Sequence, residues 1–115
     1  MEKENKLRDN IKSYALISEQ MCNLYIKKNH DYGDSFSQSC DEFGLISPAI
    51  RLTDKLNRFK SLISKDSLVT DESVEDTLLD LANYSIMTLM WMRKQKNKEN
   101  REQTPDSFCE NNLND

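Results

Sequence analysis

Charged side chains recur at helical spacing in the middle of the chain. Three cations and one acid lie at positions i, i+3, i+4 and i+7, and they are Arg51, Asp54, Lys55 and Arg58. Intervals of this length place side chains on one face of a helix. Arginine carries a planar fork of donors that suits phosphate oxygens, and lysine supplies a compact positive charge. We therefore interpret Arg51, Lys55 and Arg58 as a phosphate-binding surface.

A second helical segment carries acids with similar regularity. Glu72, Asp76 and Asp80 recur every four residues. Asp76 and Asp80 border apolar positions, where an unpaired carboxylate would be costly. If this segment packs against the first, these three acids and Asp54 become candidate ligands for a divalent cation such as Mg²⁺. The alternative is that the carboxylates only form ion pairs with the three cations.

Polar and aromatic residues lie near both charged segments. Asp31, Tyr32 and Ser35 surround a glycine, and Asn83 and Tyr84 follow the acids by one turn. A tyrosine ring beside a flexible glycine could stack on a base, while the polar groups contact a sugar. We expect these five residues to contribute to nucleotide binding, the alternative being that the tyrosines only pack. The sequence identifies no catalytic base.

Composition indicates a small, all-α protein. The chain has 115 residues with only two glycines and two prolines, too few for the turns of a sheet. A net charge of −4 gives no basic field for a nucleic-acid polymer. Three widely spaced cysteines form neither a disulfide framework nor a zinc pattern. With no signal peptide and no apolar run long enough for a membrane, we expect a cytoplasmic protein.

Apolar periodicity predicts three main helices. They cover 4–29, where apolar positions recur from Leu7 to Tyr25, then 47–63, with Ser47 as cap, and finally 71–96. This layout corresponds to a small helical bundle.

Three further predictions concern the segment 31–47, the oligomeric state and the end of the chain. We expect 31–47 to be a long loop, with a short fourth helix at 38–43 as an alternative. The third helix is apolar around much of its circumference, which predicts a homodimer or homotetramer through residues 74–92. Residues 1–96 are expected to form one domain, and the polar residues 97–115 a mobile tail.

Three separated blocks of the sequence resemble, in order, the nucleotide modification associated domain 1 family of bacteriophages, prophages and bacteria. The blocks are Lys28–Phe36, Arg51–Phe59 and Glu72–Tyr84. The family's name implies a role in nucleotide metabolism. The helical layout also resembles the MazG-like, all-α nucleoside triphosphate pyrophosphohydrolases, whose carboxylates on two adjacent helices hold Mg²⁺. This second resemblance implies a MazG-like fold and a magnesium cofactor.

The chain departs from the pyrophosphohydrolase pattern. Those enzymes carry Glu-Glu-x-x-Glu on one helix and Glu-x-x-Asp on the next, whereas this chain offers Asp54 among three cations. Two functions therefore stay open. One is a Mg²⁺-dependent pyrophosphohydrolase acting on a nucleotide or modified nucleotide. The other is a non-catalytic protein that sequesters a signalling nucleotide in antiphage defence. The balance of acids and cations where the helices meet distinguishes the two.

Overall fold

The computed structural model describes residues 1–32, 34–64 and 71–103, and its regular elements are all α-helices. In chain order they are α1 (Glu2–Tyr32), α2 (Ser35–Phe43), α3 (Ile46–Ser64) and α4 (Asp71–Gln103). The all-α prediction is confirmed, and so is the alternative that included a fourth helix. Among the described residues, no helix combines the length and apolar character needed to cross a membrane.

Several helix boundaries lie near the few glycine and proline residues. Gly33 and Gly44 separate the first three helices in sequence, and Pro105 follows the last. Pro48 lies in the first turn of α3, where its missing N–H group would have had no partner within the helix. Neither α1 nor α4 contains a glycine or a proline, and the two helices are 31 and 33 residues long.

A left-handed residue, Gly44, ends α2. Its φ is +72°, and its N–H group donates to the Cys40 carbonyl at 2.8 Å, as in an αL helix cap. A Cβ atom at Gly44 would meet nothing within 4 Å. Glycine is therefore favoured here because the backbone is left-handed, and not because a larger side chain would clash. The Gly44 carbonyl in turn accepts from the Ser47 N–H group at 3.1 Å, which leads the chain directly into α3.

The predicted loop at 31–47 is wrong, because most of this segment is helical. α1 continues through Tyr32, and α2 occupies Ser35–Phe43. The buried apolar residues of α2, Phe36 and Cys40, make up a single helical turn. One turn is too short to display helical periodicity, and the surrounding polar residues suggest a loop instead.

Two predicted helix ends also differ from the structure. α3 begins at Ile46, so Ser47 lies inside the helix and is not its cap. α4 continues to Gln103, so the end expected at residue 96 is wrong. The last turns of α4 are polar and exposed, so they lack the apolar periodicity from which the sequence predicts a helix. The rest of the predicted tail, 104–115, lies outside the described residues.

The chain divides into two compact units, Met1–Gln38 and Ser39–Asp115. In the second unit α3 packs along α4. The two helices are antiparallel, since Lys55 contacts Asp80 and Arg51, one turn earlier on α3, contacts Tyr84, one turn later on α4. The predicted limits of a single domain and a tail stay a prediction.

Few side chains of the described residues are buried completely. Cys40 and Pro48 are the largest of them, and Thr77 of α4 is 2% exposed. The Thr77 hydroxyl donates to the Ser73 carbonyl one turn earlier, at 2.8 Å, so its polar atom is satisfied inside the helix. A polar residue therefore occupies part of the buried surface of α4.

Candidate functional site at the α3–α4 interface

The charged residues of α3 differ in their exposure. Arg51 and Lys55 are half-buried, whereas Asp54 and Arg58 are exposed. Each pair is separated by one helical turn, so the two pairs form neighbouring stripes. At about 100° per residue the four side chains still share one broad face of α3, as expected, spanning about 100° of its circumference. Arg51 and Lys55 contact α4, and Asp54 and Arg58 are exposed beside them.

The acids of α4 divide in the same way. Asp80 is half-buried and Asp76 is exposed, although the two are only one turn apart. A helical turn of four residues overshoots a full rotation by about 40°, so a strict four-residue repeat drifts around the helix. The side chain of Glu72 lies outside the described residues. Of the predicted acidic stripe, Asp80 therefore meets α3.

Lys55 and Asp80 form an ion pair across the interface. The Lys55 Nζ lies 3.0 Å from the Asp80 Oδ2, and the two side chains are 27% and 16% exposed. At this burial the pair is partly shielded from water, so its attraction is stronger than that of a surface pair. At this position a cation of one charged segment pairs with an acid of the other, as the alternative interpretation predicts.

One turn further along the interface, Arg51 lies over an aromatic ring. Its guanidinium carbon is 5.7 Å from the centre of the Tyr84 ring, within the range of a cation–π interaction. Tyr84 and its neighbour Asn83 are both half-buried, and both have further interactions in the structure. The contact holds the flat guanidinium in a defined orientation at the interface.

Beyond Arg51, the end of α2 meets the later turns of α4. The Trp91 indole N–H group and the Gln95 amide both donate to Asp41 Oδ1, at 2.8 and 3.3 Å. Burial raises the pKa of the neighbouring Cys40 thiol, while the Arg51 charge lowers this pKa and the Asp41 charge raises it. The two hydrogen bonds to Asp41 join the end of α2 to α4.

Sequence reasoning did not identify Asp41, Trp91 and Gln95 as a connected group. A partial signal was present, because Trp91 and Gln95 continue the stripe of Tyr84 at intervals of seven and four residues. Asp41 gave no signal, since its segment was expected to be a loop. Its role depends on α2 ending at Gly44, where the chain turns back towards α3.

Four predicted residues remain, and the structure describes the side chains of two of them. Asp54 borders a shallow depression on α3 with Ile46, Ala49, Ile50 and Thr53. Ser35 is exposed at the start of α2, and the side chains of Asp31 and Tyr32 lie outside the described residues. The structure thus joins Arg51 to Tyr84 and Lys55 to Asp80, and it leaves the other predicted contacts untested.

No three side chains of the metal-ligating types come together within the described part of the chain. Among the predicted ligands whose side chains are described, Asp80 is the one at the interface, where it pairs with Lys55. The predicted magnesium ligands Asp54, Asp76, Asp80 and Glu72 therefore stay a prediction. A single carboxylate would suit a Mg²⁺ ion whose other ligands are water and phosphate oxygens.

Comparison with known proteins shows the family. A model of the nucleotide modification associated domain 1 family matches residues 28–92, more than half of the chain. The chain belongs to this family. The matched region contains α2, α3 and the Lys55–Asp80, Arg51–Tyr84 and Trp91–Asp41 contacts, whereas Gln95 lies beyond it. No curated protein and no solved structure is detectably similar to the chain.

Proposed function

We propose that this protein binds a nucleotide at the α3–α4 interface. Arg51 and Lys55 contact the phosphates, and Asn83 and Tyr84 contact the base or the sugar. The observation that carries the proposal is the pair of half-buried cations, one turn apart, each oriented by a residue of α4. Membership of a nucleotide-associated family supports a nucleotide as the ligand.

The two cations suit different parts of a phosphate chain. Arg51 is oriented by the Tyr84 ring, which leaves less conformational freedom to lose when a ligand binds. Its fork of donors can contact two phosphate oxygens at once. Lys55 would exchange Asp80 for a phosphate, or bind both together if the ligand brings a cation. The exposed Arg58 can extend the contact towards a longer phosphate chain.

Asp31, Tyr32 and Ser35 complete the proposed set of nucleotide contacts. All three lie within the family-matched region. We propose that they recognise the base or sugar, through the aromatic ring of Tyr32 and the polar groups of its neighbours. Measuring nucleotide affinity for Tyr32→Ala tests this part of the site separately from the phosphate contacts.

The residues at the interface favour a protein that binds and sequesters a nucleotide without hydrolysing it. Among the described residues, the cations Arg51 and Lys55 are half-buried at the interface, and the half-buried acid Asp80 is paired with Lys55. Anion binding uses cations placed in this way, whereas metal-dependent hydrolysis needs carboxylates. For such a sequestering protein, the proposed ligand is a signalling nucleotide used in antiphage defence.

A Mg²⁺-dependent pyrophosphohydrolase with a MazG-like arrangement is the second candidate. Asp80 favours it, because this carboxylate lies beside the two proposed phosphate-binding cations. Asp76, Asp54 and Glu72 are the further proposed ligands. A bound Mg²⁺ would polarise a phosphate and lower the pKa of a coordinated water. Arg51 and Lys55 would stabilise the charge that develops on the phosphates.

One screen separates the two candidates. The protein is mixed with linear and cyclic nucleotides, with Mg²⁺ or with EDTA, and its melting temperature and the nucleotide products are measured. Stabilisation in EDTA with intact nucleotide supports sequestration. Product release that requires Mg²⁺ and disappears in Asp76→Ala supports the hydrolase. Absence of stabilisation by every nucleotide contradicts the proposed function.

We also propose that α4 joins copies of this chain through residues 74–92. Several large apolar side chains of this segment remain substantially exposed, namely Leu78, Ile86, Leu89, Met90 and Met92. Exposed apolar surface of this extent favours association. Light scattering of Leu89→Glu, compared with the unaltered protein, tests whether this surface contributes to a dimer or tetramer.

A further inference from the structure

The carboxylate of Asp80 lies beside a cation that is proposed to bind phosphate. Its Oδ2 atom is 3.0 Å from the Lys55 Nζ atom, and the two side chains are 16% and 27% exposed. Arg51 lies one turn before Lys55 on α3, about 6 Å along the helix axis. A phosphate that contacts both cations therefore also comes close to the Asp80 carboxylate.

The ion pair limits the attraction that Lys55 offers to a phosphate. The Asp80 carboxylate already balances the charge of Lys55, and Asp80 has a further interaction in the structure. A phosphate that replaces Asp80 leaves this half-buried carboxylate without its lysine and next to a second anion, which is costly. A phosphate that binds beside the intact pair is attracted by the lysine and repelled by the aspartate. In both cases Asp80 opposes negative charge, and this opposition grows with the charge of the ligand.

Phosphate groups differ in the charge that they bring to this position. A terminal phosphate carries about 1.5 to 2 negative charges at pH 7, and further phosphates of a chain add to this charge. A phosphodiester carries a single negative charge. Removing a more highly charged group from water also costs more free energy. The Lys55–Asp80 pair therefore favours a diester over a chain of terminal phosphates.

We propose that Asp80 makes the α3–α4 interface select nucleotides whose phosphates are diesters over nucleotides with terminal phosphates. Arg51 and Lys55 contact the diester while Asp80 stays paired with Lys55. This role of Asp80 rests on the proposed function, because it needs a nucleotide at the two cations. A 3′,5′-cyclic mononucleotide is a small nucleotide with such a diester.

The first test compares two probes that share a base and a sugar. The protein is titrated calorimetrically in EDTA with the 3′,5′-cyclic monophosphate and with the 5′-triphosphate of each common nucleoside. EDTA removes the divalent cations that would neutralise a triphosphate. For the base that binds most tightly, we expect the cyclic monophosphate to bind at least about tenfold more tightly than the triphosphate. Equal affinities, or a preference for the triphosphate, overturn the proposed role of Asp80.

The second test identifies the cause of the preference. Asp80→Asn keeps the shape of the side chain and removes its charge, so the triphosphate should bind about tenfold more tightly to this variant while the affinity for the cyclic monophosphate changes little. Glu75→Gln removes a charge from an exposed position of α4 and should leave the preference unchanged. Asp80→Glu keeps the charge and should retain the preference. If Asp80→Asn has the same affinity ratio as Glu75→Gln, Asp80 does not determine selectivity.

The remaining outcomes are also decisive. Weaker binding of both probes to Asp80→Asn would make Asp80 a direct contact of the nucleotide and would overturn selection by charge. Circular dichroism verifies that each variant is folded, and if Asp80→Asn is not, the affinity ratio of the unaltered protein still decides. Binding of neither probe by the unaltered protein contradicts the proposed function itself, whereas binding without a preference contradicts only the role of Asp80.

Discussion

Replacing Lys55 with methionine tests whether the ion pair with Asp80 holds α3 and α4 together. Methionine keeps most of the length of the lysine stem and removes only the charge. Breaking a buried ion pair costs about 3–5 kcal/mol, and breaking an exposed one about 1 kcal/mol or less. With side chains 27% and 16% exposed, the Lys55–Asp80 pair lies between these limits.

Asp80 has a further interaction in the structure, so part of its carboxylate stays satisfied. We therefore expect Lys55→Met to lower the free energy of unfolding by about 1.5 kcal/mol. For a chain of this size that corresponds to roughly 6 °C in melting temperature. Urea titration followed by circular dichroism gives the free energy, and a thermal scan gives the melting temperature.

The matched control is Lys60→Met, at an exposed lysine of the same helix, which should change stability by less than about 0.5 kcal/mol. Asp80→Asn and the double variant complete a cycle that isolates the coupling between the two charges, expected at about 1 kcal/mol. If Lys55→Met is as harmless as Lys60→Met, or if the coupling is zero, the pair does not stabilise the interface.

The other predictions concern the end of α2 and its contacts. Gly44→Ala should cost about 1–2 kcal/mol in urea unfolding because of the left-handed backbone, and Gly44→Asn less; equal stability of the alanine variant would contradict the role of the turn. Trp91→Phe should cost about 1 kcal/mol in urea unfolding by removing the donor to Asp41, and an unchanged free energy of unfolding would contradict a stabilising role of this bond. Burial raises the pKa of Cys40 from 9.0, so stability should fall as pH rises above 9.0, and Cys40→Ala should reduce that slope; an unchanged slope would refute it.

The positions of the helices could largely be predicted from sequence, because glycine and proline are so rare. The long apolar periods of α1 and α4 identify them as helices without any tertiary information. The helix α2 could be offered only as an alternative, since its inward surface consists mainly of Phe36 and Cys40. Such a short helix depends on the Gly44 cap and on contacts made in the fold.

The candidate site was predicted by residue type better than by geometry. Arg51, Lys55, Asp80 and Tyr84 were all identified, but their pairing depends on the antiparallel register of α3 and α4. Sequence spacing gives relative positions on one helix and does not fix the rotation of two helices about their axes. Lys55 and Asp54 fit the periodic pattern equally well. The rotation of α3 about its own axis decides that Lys55 meets α4 and that Asp54 is exposed.

Calorimetric titration in EDTA most directly tests the claim that Arg51 and Lys55 bind a nucleotide. The nucleotide that gives the largest thermal stabilisation is titrated into the unaltered protein, Arg51→Ala and Lys60→Ala. The unaltered protein and Lys60→Ala should bind equally well, and Arg51→Ala should bind at least about tenfold more weakly, because a charge-assisted phosphate contact is lost. Equal binding by all three proteins, or no binding by any, would contradict the account.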